Sequence, residues 1–185
     1  MVRGYDKTAA ERVGFGQVEP NHLSAQKTGQ IYAQLPAKDS NGNAIALIEQ
    51  GQFLRYNYAQ ERASVDGDGE PMLVYVEEKL YDERKQHHKD FALKASDFTD
   101  GVIYPRLLKI NVGDIYTTNT FGGNNTSDTA KKVFGFTPEK GTKLTVGENG
   151  FLTTEGAATG DIVFNVVKVY TMPDGQMGVK VQRIK

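Results

Sequence analysis

Apolar and polar residues alternate with period two along much of the chain, most clearly near its C-terminal end. Ile162–Thr171 (IVFNVVKVYT) reads as one strand and Gln176–Ile184 as its partner. In the partner, Met177, Val179 and Val181 fall on one face and Gly178, Lys180 and Gln182 on the other. Between the two strands, Met172-Pro173-Asp174-Gly175 is a turn, because Pro presets one central φ and Gly accepts the left-handed conformation after it. A hairpin is therefore predicted over 162–184. Lys143–Val146 and Phe151–Thr154, joined by Gly147-Glu148-Asn149-Gly150, predict a second, smaller one.

Upstream the pattern is β-like but shorter in range. Thr28–Leu35 alternates Ile31, Ala33 and Leu35 on one face. Ala44–Glu49 and Gln52–Tyr58 flank Gln50-Gly51, which predicts a hairpin or two successive strands. Ala63–Pro71 reads as a loop and Met72–Glu77 as a strand. The mixed-charge stretch Glu78–Asp90 reads as a solvated helix or hairpin tip. Phe91–Phe98 offers Phe91, Leu93 and Phe98 as core residues. Pro105 assigns Val102–Ile110 to an edge or a bulge. Ile115–Thr120 is again β, and Gly122–Thr129 is a glycine- and asparagine-rich loop. There is no internal repeat and no heptad. Short strands separated by Gly-bearing turns, without intervening helices, predict a mainly β chain: an antiparallel sandwich or barrel.

Residues 1–27 differ from the rest. Val2, Tyr5, Val13, Phe15, Val18 and Leu23 follow neither period, and Gly14, Gly16 and Pro20 interrupt any regular element. A short helix over Thr8–Val13, capped by Asp6 or Thr8, is the one element suggested there. The organisation expected is an extended N-terminal arm over 1–27 and a β-rich body over 28–185. The arm is either frayed or ordered on a partner, its isolated apolar residues each filling a pocket.

Composition narrows the chemistry. The chain has 185 residues, with 22 Lys and Arg against 23 Asp and Glu. A near-neutral chain without a basic run lacks the electrostatic term that nucleic acids and anionic membranes select. The absence of Cys removes disulfides, thiol nucleophiles and Cys-ligated metals. No apolar run approaches the length of a bilayer span, and the first residues lack a signal-peptide core.

Each cluster of functional residue types has a bland explanation. Asp66, Asp68 and Glu70 lack calcium-loop spacing and suit a turn. His87-His88 with Asp90 would need further ligands to hold a metal. Glu77, Glu78, Asp82, Glu83 and Asp114 show no pairing across a cleft. No Ser lies in a nucleophile elbow, and neither Gly14-Phe15-Gly16 nor Gly122-Gly123 opens a phosphate-binding helix. No catalytic residue, metal site or cofactor is assigned. Tyr56, Tyr58, Tyr75, Tyr104, Tyr116 and Tyr170 would serve a carbohydrate- or surface-binding module if exposed together on one face.

Three stretches resemble structural proteins of tailed bacteriophages: Val18–Pro36 (VEPNHLSAQKTGQIYAQLP), Tyr104–Thr120 (YPRLLKINVGDIYTTNT), and the closing strand, P-D-G turn and last strand. The closing pattern is similar to head decoration, or cement, proteins. The resemblance implies a non-enzymatic virion protein, made in the bacterial host's cytoplasm and seated on the outside of the capsid. It implies the major capsid protein as partner, with self-association on the shell, and neither nucleic acid nor membrane. Tail-tube, neck and baseplate components share the texture. On this reading Tyr5, Val13, Phe15, Val18 and Leu23 are capsid-binding anchors, and removing residues 1–27 should leave the body folded.

Overall fold

The computed structural model describes residues 11–12, 15–76, 91–122, 132–133, 136–172 and 176–185. In chain order its strands are β1 (Glu11–Arg12), β2 (Val18–His22), β3 (Ile31–Tyr32), β4 (Leu47–Glu49), β5 (Phe53–Asn57), β6 (Arg62–Ser64) and β7 (Glu70–Val74). Then follow β8 (Ala92–Lys94), β9 (Leu107–Leu108), β10 (Ile115–Thr118), β11 (Lys132–Val133), β12 (Lys143–Val146), β13 (Leu152–Thr153), β14 (Phe164–Thr171) and β15 (Met177–Arg183). The one α-helix among the described residues is a single turn, α1 (Ala25–Thr28). It ends at Gly29, whose φ of 70° is the left-handed stop that glycine adopts most easily.

The strands form an antiparallel sandwich. A six-stranded sheet runs β13-β12-β14-β15-β10-β2 and a five-stranded sheet runs β3-β9-β7-β5-β6. Two-stranded pairs β1-β11 and β4-β8 complete it. The main core lies between the large sheets. Val18, Tyr116, Leu144, Phe164, Val166, Val179 and Val181 meet Phe53, Leu73, Tyr75 and Leu108 across it. The Phe164 ring sits 5.7 Å from Phe53 and, edge-on, 5.9 Å from Tyr116. Such pairs add to burial through ring quadrupoles.

The five-stranded sheet is buried on both faces. Phe53, Leu73 and Leu108 enter the main core, while their neighbours Leu54, Met72, Val74 and Leu107 enter a second one. Ala37, Ile48 and Ile103 close that second core from loops and from β4. Two buried faces explain the unbroken apolar runs MLV, FL and LL in these strands.

The mainly β, antiparallel organisation matches the expectation from sequence, as do the closing hairpin, β14 with β15, and the smaller one, β12 with β13. Other elements differ. Thr28–Leu35 supplies only two strand residues, because α1 and Gly29 occupy its start, and Ala33 is exposed. β4 does not pair with β5; it pairs with β8, while β5 lies between β6 and β7. β6 and the start of β7 fall inside the expected loop 63–71. Pro71 is tolerated in β7 because β9 ends two residues earlier in the register, leaving Pro71 one neighbouring strand. The stretch assigned to an edge by Pro105 places β9 between β3 and β7, with Pro105 just outside it. Phe98, expected in the core, is 38% exposed. The suggested helix at 8–13 is corrected where it is described: Glu11 and Arg12 are extended and pair with Val133 and Lys132.

The largest correction concerns the arm. β2 is the edge strand of the six-stranded sheet, antiparallel to β10. Val18, Leu23 and Ala25 belong to the main core. Residues 18–27 are therefore part of the body. Their spacing hides this because β2 alternates for only three residues before a bulge at Ile115/Tyr116 shifts its register.

Candidate functional site

Within the arm expected to carry binding function, residues 1–27, the stretch 15–24 is held at two points. The first is a buried polar slot. Gly16 and Gln17 pass between the loop at Gln50 and the end of β10. The Gln17 N–H donates to Asn119 Oδ1 at 2.7 Å, and Thr118 Oγ1 donates to the Gln17 carbonyl at 2.7 Å. Thr120 Oγ1 donates to the Gln50 carbonyl at 3.0 Å, and the Thr120 N–H to Thr118 Oγ1 at 2.9 Å. Phe91 closes the slot, its N–H donating to Gly16 and its carbonyl accepting from Gln50. Gly16 is required for contact rather than for φ: a Cβ there would lie 1.8 Å from the Gln50 carbonyl oxygen. Gln17, Gln50, Thr118, Asn119 and Thr120 are all buried, so these bonds carry the desolvation of the whole seam. Asn119 Nδ2 is the buried donor left without a partner.

The second point is Asp114, 2% exposed. Its carboxylate accepts from the Ser24 N–H at 3.1 Å, from Ser24 Oγ at 3.0 Å and from the Asn111 N–H at 2.9 Å. Asn111 Nδ2 donates onward to Ser24 Oγ and to Gln30 Oε1. Asp114 thus joins the Asn111–Asp114 turn to the start of α1. It was considered from sequence as a carboxylate for chemistry; the geometry commits both its oxygens to backbone positioning.

The expected anchors separate accordingly. Val18 and Leu23, 7% and 3% exposed, are core residues and offer nothing to a partner. Phe15 is half-buried, with Lys94 Nζ 5.4 Å from its ring centre. Tyr5 and Val13 lie outside the described residues.

Other candidates are also sorted. The Asp66–Glu70 turn is built from backbone acceptors: Asn57 Nδ2 donates to the Asp68 carbonyl and Arg55 Nη1 to the Gly69 carbonyl. Glu70 pairs with Lys109 at 2.9 Å. No group of three potential metal ligands occurs among the described residues, and His87 and His88 lie outside them, as do Glu77, Glu78, Asp82 and Glu83. Tyr56, Tyr75 and Tyr116 are buried, while Tyr58 and Tyr104 are 61% and 52% exposed. Tyr170 is half-buried, so half of the tyrosine set needed for a carbohydrate module lies inside the protein. Burial holds the Tyr116 hydroxyl neutral well above the ordinary tyrosine range. Asp39 is shifted the other way, its carboxylate held below the ordinary value first by the Asn43 N–H and then by the Asn43 side chain.

Sequence reasoning missed the polar slot. TTNT reads only as part of a β segment, and its partner residues lie about 70 to 100 positions away.

Comparison with protein families, with characterised proteins and with solved structures finds no match to this chain.

Proposed function

We propose that the chain is a non-enzymatic virion structural protein that binds the outside of an assembled tailed-phage capsid and stabilises the joints between major capsid subunits. One observation carries the reading. The three stretches that resemble phage structural proteins contribute β2, β10, β14 and β15, consecutive strands of the six-stranded sheet, and β3 and β9, which pair at the edge of the five-stranded sheet. The likeness therefore falls on neighbouring strands within each sheet. A second feature supports it: tension on the N-terminal segment is borne by buried hydrogen bonds at Gln17 and by the Asp114 hub. That is a suitable joint for a protein that bridges subunits under load.

A ligand that binds only the assembled shell stabilises the shell through mass action, and repeated attachment adds avidity. With Val18 and Leu23 inside the body, capsid contact falls to residues before Gly16, where Tyr5, Val13 and the half-buried Phe15 are the anchor candidates. The test is co-sedimentation of the full chain with assembled shells and with free capsid subunits. Saturable binding to shells alone is expected, weakened by Tyr5→Ala with Val13→Ala. Absence of shell binding, or equal binding to free subunits, overturns the reading.

A further inference from the structure

The outer face of the six-stranded sheet carries two lysines that face each other. β14 bulges between Val166 and Lys168, and beyond the bulge Lys168 lies directly opposite Lys180 of β15. Like charges across an antiparallel pair repel, since opposed Cβ atoms sit about 5 Å apart. Among the described residues neither lysine has a hydrogen bond or an ion pair. The row continues through Thr117 of β10, which is fully buried, to Glu19 of β2, and Lys143 lies on the same face, where it donates to Asn165 Oδ1 at 3.2 Å.

The complementary surface is on the same chain. A groove of about 320 Å³ lies beside β12 and the turns that follow β12 and β13, lined by Glu148, Glu155 and Asp161 with Arg55 as its one cation. Arg55 Nη1 already donates to the Gly69 carbonyl at 3.1 Å. Glu148 and Asp161 have no ion pair. The lysine pair lies in the middle of the sheet and the carboxylates in the turns beside β12, so the two surfaces are separate regions of the molecule. A second copy of the chain carries the charges complementary to each.

We propose that Lys168 and Lys180 of one copy dock against the acidic groove of a second, in a head-to-tail contact. Contacts of this kind close into rings or run on as chains, and being polar and exposed this one is screened by salt. It holds or fails independently of capsid binding.

The test is sedimentation velocity of the full chain in about 20 mM and about 500 mM salt. Concentration-dependent association is expected in low salt and its loss in high salt. K168E/K180E should weaken association at least about tenfold, because like charges then face each other across the contact. E148K/D161K should do the same, and mixing the two variants should restore association, with the two variants alternating. Unchanged thermal unfolding of each variant separates lost contact from lost fold. A chain that stays monomeric in low salt, association insensitive to K168E/K180E, or a mixture that stays dissociated overturns the proposal.

Discussion

The two ends of the chain meet in the same sheet, yet they are held there by different physics. The C-terminal pair β14 and β15 is a hairpin of neighbours, closed by the Met172 N–H on the Gln176 carbonyl at 2.8 Å. Its inward residues Phe164, Val166, Val179 and Val181 supply hydrophobic burial, a non-directional force roughly proportional to area. The N-terminal strand β2 contributes Val18 and the adjoining Leu23 to that core, but its position depends on directional bonds. Gln17 reaches Asn119 and Ser24 reaches Asp114, contacts separated by 102 and 90 positions. A hairpin tolerates imperfect packing because its register is set locally. A threaded strand depends on a few distant groups being in place together.

That contrast can be broken most severely by truncation. Removing residues 1–27 takes Val18, Leu23 and Ala25 from the main core and empties the Asp114 hub. The loss from the two larger side chains alone is roughly 3–6 kcal/mol, a large part of a typical domain stability of about 5–15 kcal/mol. Cooperative thermal unfolding by circular dichroism should disappear or fall sharply; a truncated body that melts like the full chain would return residues 18–27 to the arm.

A smaller break targets the slot. Gly16→Ala forces a Cβ against the Gln50 carbonyl, which should cost about 1–3 kcal/mol, seen as a lower midpoint in urea at an unchanged slope. Asp114→Asn keeps the shape of the hub but replaces one charged acceptor by an amide. A loss of about 1–2 kcal/mol is expected, with amide exchange accelerating first at Ser24 and Asn111. Exchange that rises uniformly over the chain would instead show that Asp114 serves the whole sheet.

The mildest test sharpens the hydrophobic side. The Tyr116 hydroxyl is fully buried and has no hydrogen-bond partner. Tyr116→Phe should therefore be neutral or stabilising by up to about 1 kcal/mol. The sign with pH follows from its shift. The unfolded chain releases the Tyr116 proton near 10.0, while burial keeps the folded form protonated well above that value. The folded state then binds more protons, so stability falls as pH rises past 10.0. Removing the hydroxyl should raise stability more at pH 11 than at pH 8, about 1.4 kcal/mol per pH unit being the ceiling for one group. An identical difference at both values would contradict the burial account.

Much of the fold is legible where periodicity and turn chemistry are local. Met177, Val179 and Val181 show their face in the sequence, and Gly147 with Gly150 marks the turn between β12 and β13. The five-stranded sheet is less legible, since burial on both faces removes the alternation from Phe53-Leu54 and Leu107-Leu108. The N-terminal segment is least legible. Phe15, Val18 and Leu23 look alike as isolated apolar residues, but one packs beneath Lys94 and two enter the core. Nothing within a few residues of each distinguishes them.

The sequence alone thus determined the β class, the antiparallel hairpins and the residues that line their inner faces, because those depend on a period of two and on turns spanning four residues. Only the tertiary structure decided that β4 pairs with β8, that β2 closes the sheet edge, and that Gly16 and Asp114 are joints. Those outcomes depend on which distant donors, acceptors and apolar faces arrive together, and a pairing across about 100 residues leaves no periodic trace in either partner.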